Sequence, residues 1–196
     1  MNYLAHAYLS FGHPEVLVGN MIADFVKGRA RYNYPPGIQA GMELHRRIDA
    51  FTDAHPATAA AKQPFRPDYR LYSGALVDVV YDHFLANDAA FFAPGALAPF
   101  ARGVYRVLQE HAPGLPPRFA QMLPYMEGQN WLYGYHTREG ISRSLAGLVR
   151  RAAYLSDSET AFRLFNEHYT ELGACYAALA PDVKDYAKKE LEQLIG

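Results

Sequence analysis

An all-α fold is predicted by three features of this 196-residue chain. Apolar residues recur at three- and four-residue spacing through most segments, the period of a helix face. Pro14 and Gly28 stand where a helix start and a helix stop need them. No segment shows the strict alternation of a half-buried strand. The length suits one domain with a sizeable core. No internal repeat and no long polar linker divides it, so residues 1–196 are expected to form a single helical domain, with 152–196 the least firmly placed part.

The elements follow in order. "NYLAHAYLS" places His6 four residues after Asn2, on one face if helical. Pro14 then opens a helix through "EVLVGNMIADFVKG", and Asn20 and Asp24 share a face of it. "YNYPPG" reads as a loop. "IQAGMELHRRIDAFTDA" has a core stripe of Leu44, Ile48 and Phe51 and ends before Pro56. "DYRLYSGALVDVVYDHFLAND" reads as one long helix. Two more follow, over 93–114 and 116–129. Helices over 138–154, 156–179 and 181–196 close the series, the last begun by Pro181.

Composition excludes several classes. Half the residues are hydrophobic and a fifth are charged, which excludes a disordered chain. A net charge of −1 argues against nucleic acid as a partner. A single cysteine, Cys175, forms no internal disulfide and fits a reducing compartment. The start lacks a basic signal region, and no apolar run reaches the roughly 18 residues needed to span a bilayer. A soluble cytoplasmic protein, with no membrane partner, is expected.

The charge is unevenly placed. Lys27 to Arg70 holds eight basic and four acidic residues, whereas Ala152 to Gly196 holds four basic and eight acidic. A basic front half suggests an anionic substrate or partner, and a mixed solvated surface is the plainer alternative. Aspartate is also segregated: residues 1–100 hold seven Asp and two Glu, and residues 101–196 hold three and eight. Asp is a poorer helix former than Glu and is usually kept for caps and turns. Its presence inside predicted helices points to fixed, short carboxylate ligands. Five of the eight histidines (6, 13, 45, 55, 83) lie in the same half.

Two stretches concentrate this chemistry. In "HRRIDAFTDAH", His45, Asp49 and Asp53 recur every four residues beside the core stripe, so they line its border; His55 precedes Pro56 and is equally placed to cap a helix end. In "GALVDVVYDHFLA", Asp78 and Asp82 share a face with Leu71 and Ala75. This helix is apolar all round and should be buried, where carboxylates are costly unless paired or bound to metal. His83 adds a nitrogen next door. The plainer reading pairs these acids with Arg46, Arg47 or Arg70. His6 on an apolar stretch, taken by itself, reads more readily as a satisfied core histidine than as a ligand. "WLYGY", with the only tryptophan, Trp131, reads as packing rather than a base-stacking platform.

The pieces "NYLAHAYLS", "GNMIADFVKG", "HRRIDAFTDAHP", "YSGALVDVVYDHFLA" and "NWLYGYHTREGISRSLAGLVRR" together resemble the acyl carrier protein phosphodiesterases, over residues 2 to about 151. The resemblance implies an all-α, HD-domain-like, metal-dependent phosphohydrolase using Mn²⁺, with Mg²⁺ or another divalent ion as the alternative. It implies removal of the 4′-phosphopantetheine arm from holo acyl carrier protein, an acidic protein substrate. The motif matches carry over His6, Asp24, Asp78, Asp82 and His83 as leading metal ligands. Asp53 and His55 stand behind them, and His45, Asp49, Asp24 and Arg46 are the expected catalytic groups. Residues 82–83 read Asp-His, the reverse of the usual HD order. Lys27, Arg29, Arg31 and Arg47 are the expected substrate contacts, the first three as a docking face for the carrier. Two rivals stay open: an HD-type hydrolase of a nucleotide or alarmone, and a non-catalytic helical protein that binds the carrier.

Overall fold

The computed structural model describes residues 1–152 and 157–196. Twelve α-helices and no strand occur among the described residues, in accord with the all-α expectation. The stretch 153–156, where the predicted helices 138–154 and 156–179 end and begin, lies outside them.

Helix α1 (Tyr3–Tyr8) leads into α2 (Pro14–Ile22), with Pro14 at its first turn. The predicted helix does not run on to Gly28. It ends at Ile22, tightens into a 3-10 turn over Ala23–Phe25, and Val26 is extended. Asp24 is thereby turned off the α2 face that carries Asn20. A second 3-10 segment, Gly28–Asn33, precedes α3 (Pro36–Ala54). His55 is extended, as the residue before a proline prefers, and its imidazole Nδ1 accepts from the Ala57 amide at 3.1 Å to cap α4 (Pro56–Ala61).

The predicted helix over 68–88 is broken. Short α5 (Arg66–Tyr69) gives way to a 3-10 turn at Arg70–Tyr72, with Arg70 at φ +45°, before α6 (Ser73–Ala86) begins. Leu71 therefore does not extend the stripe of α6; it is 98% exposed in the turn. Helix α6 itself is buried on nearly all sides, as its all-round apolar sequence requires. Helices α7 (Leu97–Glu110), α8 (Pro117–Gly128), α9 (Trp131–Gly134) and α10 (Arg138–Arg151) follow. Thr137 caps α10 by accepting from the Gly140 amide at 3.0 Å.

Helix α11 (Glu159–Glu167) is separated from α12 (Tyr169–Ile195) at His168. Pro181 does not start a helix. It sits inside α12, where a proline usually costs about 3 kcal/mol. The flanking Leu179, Ala180, Val183 and Ala187 are all buried, and α12 packs along α3 and α4, which offsets that cost. Phe51 of α3 stacks on Tyr186 of α12 with ring centroids 4.4 Å apart.

One close approach fixes the centre of the molecule. A Cβ on Gly19 of α2 would overlap the Ile38 carbonyl oxygen, and one on Gly41 of α3 would overlap that of Val16. Only glycine at both positions lets these two backbones touch. Everything that follows at the site depends on this crossing. A continuous hydrophobic cluster, from Leu4 to Leu191, surrounds it.

Candidate metal centre

Four side chains converge where α1, α2 and α3 meet. His6 comes from α1, Asp24 from the turn after α2, and His45 and Asp49 from successive turns of α3. His6 Nε2 lies 3.2 Å from Asp49 Oδ1. His45 Nε2 lies 3.2 Å from Asp49 Oδ2 and 3.4 Å from Asp24 Oδ1. The two imidazoles stack with centroids 3.9 Å apart. One donor atom from each of His6, His45 and Asp49 falls within 4.8 Å of the others. Both histidines are buried, Asp49 is half-buried, and Asp24 is largely exposed.

Asn20 sets the direction of both rings. Its amide nitrogen donates to the His6 carbonyl at 2.9 Å and to Ser10 Oγ at 3.1 Å. Its Oδ1 is therefore the acceptor that faces His6 Nδ1 at 2.8 Å. Its backbone carbonyl, 2.8 Å from His45 Nδ1, can only accept as well. Both Nδ1 atoms must then carry hydrogen, which leaves each Nε2 with its lone pair turned toward carboxylate oxygens. His6 Nε2, His45 Nε2 and Asp49 Oδ1 are buried without a hydrogen-bond partner. Acceptors that face acceptors in a buried site need a positive charge between them, either protons on the rings or a cation.

The electrostatics agree. Burial lowers the His6 imidazole to about 4, and the neighbouring His45 pushes it the same way. Burial opposes a charge on His45, yet its contacts with Asp24 and Asp49 outweigh burial and raise it to about 9. Asp49 resists burial through the two imidazoles and stays well below the usual carboxylate range. The His45 contact lowers Asp24. Near neutrality the stacked pair thus carries one proton beyond the two on Nδ1, and it sits on His45. Two imidazole nitrogens and two carboxylates, with no thiolate, form a donor set suited to a divalent ion such as Mn²⁺ or Mg²⁺. The Nδ1 bonds to Asn20 are the outer support that metal-binding histidines commonly carry.

The other expected residues are placed elsewhere. Asp78 lies beside the cluster, not in it: it accepts from the Met1 ammonium at 2.8 Å, and that ammonium is 3.5 Å from Asp49 Oδ1. Asp82, expected as a ligand, accepts from the Leu4 and Ala5 amides at 2.7 and 3.2 Å. It is a cap for α1 supplied from α6, and burial raises it to about 7 against the pull of those amides. His83, also an expected ligand, is used up by the Tyr135 carbonyl at 2.7 Å and the Tyr169 hydroxyl at 3.0 Å. Asp53 pairs with Lys62 at 2.7 Å, and His55 is 3.4 Å from Asp182 while capping α4. Arg46 meets Glu43 at 3.6 Å, and Arg47 is held by Glu43 and Glu190. Neither arginine lines the cavity beside the cluster. Lys27 and Arg29 are exposed on and before the 3-10 segment after Asp24, and half-buried Arg31 donates to the Tyr32 hydroxyl at 2.8 Å.

A cavity of about 620 Å³ opens against this cluster, with Asp24 and Asp78 on its wall. It is lined also by α10, with Arg143, Arg150 and Arg151, and by Trp131 of α9. The sequence reading gave these three arginines no role and took Trp131 as packing. A basic last turn looks like ordinary compensation of a helix dipole, and only the fold shows which cleft it borders.

A family model described as "Acyl carrier protein phosphodiesterase" matches residues 1–183. A protein of that name from Yersinia pestis is 33% identical over 189 residues, covering 96% of this chain and 98% of the relative. The relative from Enterobacter sp. (strain 638) is 33% identical over 191 residues, covering 97% and 99%. The one from Photorhabdus laumondii is 30% identical over 191 residues, covering 97% and 96%. No solved structure matches. No helix among the described residues is long and apolar enough to cross a membrane.

Proposed function

The chain belongs to the acyl carrier protein phosphodiesterase family, and from that premise we propose that it hydrolyses the phosphodiester joining 4′-phosphopantetheine to holo acyl carrier protein, in the cytoplasm. The observation that carries this reading is the pair of orphaned imidazole nitrogens set against Asp24 and Asp49. His6, His45 and Asp49 would hold one divalent ion, Mn²⁺ by preference, with Asp24 at its edge. Donors gathered from α1, α3 and the turn after α2 are what supports the HD-like reading.

In the reaction a water oxygen forms a bond to phosphorus and the bond to the carrier's serine oxygen breaks. The water gives up a proton and the serine oxygen gains one. A phosphodiester resists this because its negative charge repels nucleophiles. A divalent ion in the cluster supplies charge neutralisation and a lower pKa for water. The chain supplies the rest. Asn20 keeps both Nε2 lone pairs turned to the cluster. Asp24, the exposed acid of the cluster and part of the cavity wall, is the group placed to take the water's proton. Lys27, Arg29 and Arg31, directly after it in the chain, offer a basic face to an acidic carrier.

The test is incubation of the purified protein with holo acyl carrier protein and Mn²⁺, with EDTA as control, followed by the carrier's mass. The expected result is loss of the arm with Mn²⁺, none with EDTA, and none with Asp49→Asn. An intact carrier under all conditions would refute the reading.

A further inference from the structure

We propose that the cavity between α6, α9 and α10 seats the pantetheine arm of the substrate, with the α10 arginines, Arg151 first, binding its phosphate. This rests on the reaction proposed above and deepens it. The cavity shares Asp24 with the donor cluster, so a ligand filling it from that end places its phosphate beside the cluster. About 620 Å³ is in the range of pockets that enclose ligands of this size, roughly 300–1,000 Å³.

The charges select an anion. The two acids on the wall are already engaged, Asp24 with His45 and Asp78 with the Met1 ammonium. Opposite them, Arg150 and Arg151 have no acid within 4.0 Å among the described residues, and Arg143 has only a 3.5 Å contact with exposed Glu139. Unpaired guanidinium groups beside a cleft are what phosphate recognition uses. Arg151 folds back over Gly147, since a Cβ there would stand 3.4 Å from its Nη1. It also faces Tyr3, whose hydroxyl burial raises to about 12 and whose rise Arg151 opposes.

The groove suits the rest of the arm, a chain with two amides and apolar methyl groups. Gly140, Ser144 and Gly147 repeat at four and three residues on the cavity face of α10. Gly140 is demanded by packing, because a Cβ would overlap the Gly134 carbonyl. Gly147 is not: its Cβ would meet nothing but the Arg151 side chain. Its smallness serves the cleft. Trp131 also lines the cavity, its indole donating from Nε1 to Gln129 Oε1 at 2.9 Å. Ala75 and Val79 of α6 give the apolar wall.

Trp131 is the only tryptophan, so its emission reports occupancy directly. Free 4′-phosphopantetheine should shift that emission saturably, and pantetheine without phosphate should do so at least tenfold more weakly. Ser144→Phe, which fills the groove, and Arg151→Gln should each weaken the titration tenfold or more and raise KM for holo carrier more than they lower kcat, with the fold kept by circular dichroism. Holo carrier turned over with no emission change in wild type, and with KM unchanged in both variants, would overturn the arm site and leave the reaction standing. Saturable binding without turnover would support the site and refute the reaction. Neither binding nor turnover would overturn both.

Discussion

Asn20→Ala tests the support of the site most directly. The residue is fully buried and makes three side-chain hydrogen bonds, to His6 Nδ1, the His6 carbonyl and Ser10 Oγ. The His6 carbonyl keeps Ser10 Oγ as a donor at 2.8 Å, so the group left orphaned is His6 Nδ1–H. An orphaned buried donor costs about 1–3 kcal/mol and each of the two other lost bonds about 1 kcal/mol net, so about 3–5 kcal/mol in all. For a chain of this size that lowers Tm by roughly 10 °C. The backbone carbonyl of residue 20 survives the substitution, so His45 stays oriented and only His6 is freed. Mn²⁺ affinity should therefore fall by about 10- to 100-fold without vanishing. Thermal melts with and without Mn²⁺, beside titration calorimetry, read both numbers. A Tm within about 2 °C of wild type and an Mn²⁺ dissociation constant within about threefold would refute the reasoning.

Four further outcomes are expected. Mn²⁺ binding at pH 7 should release about one proton, because His45 titrates at about 9 and His6 at about 4; affinity should rise about tenfold per pH unit between those values, as the metal needs a free Nε2. Calorimetry in buffers of different ionisation enthalpy checks this, and affinity flat from pH 6 to 8 contradicts it. Asp82→Ala should lower stability by about 1–2 kcal/mol through loss of the α1 cap, seen as a lower denaturant midpoint; an unchanged midpoint with lost metal would restore Asp82 as a ligand. Gly41→Val should cost about 3 kcal/mol or more by forcing α2 and α3 apart, and an unaltered melt would show that the crossing is looser than drawn. Arg29→Glu with Arg31→Glu should raise KM about tenfold at low salt with less effect on kcat; unchanged KM counts against that docking face.

How much of this was legible in the sequence varies with the kind of signal. The burial of α6 was, because its apolar residues leave no polar face. The His45–Asp49 pair was also visible, since four-residue spacing is local geometry. His6 and Asp24 were noticed by spacing but became ligands only through family resemblance, and the break at Ile22 means that Asp24 reaches the cluster by a turn rather than along a helix face. Asp82 and His83 were misplaced for a different reason. Periodicity says that an acid on a buried helix needs a partner, but not that the partner is a backbone amide of another helix or a distant tyrosine hydroxyl. Arg47 is a case of the same kind, held by Glu190 from the far end of the chain, whereas Arg46 meets Glu43 three residues before it on the same helix. Asn20 was legible as a buried amide that satisfies a neighbouring helix, but its orienting of both imidazoles was not, because half of that role belongs to a backbone carbonyl.

The four donors all lie within the first fifty residues, yet the parts that hold them come much later. Asp82 caps the helix that carries His6, and Tyr186 and Glu190 brace the helix that carries His45 and Asp49. On a ribosome, which delivers the chain from its N-terminal end, every ligand emerges long before its scaffold. Nascent α1 to α3 would display histidines and carboxylates that have no fixed mutual distance. The bracing of α3 by Tyr186 and Glu190 requires α12 to be in place. If the cluster takes a metal as proposed, its capture follows the folding of a helix that contributes no donor to it.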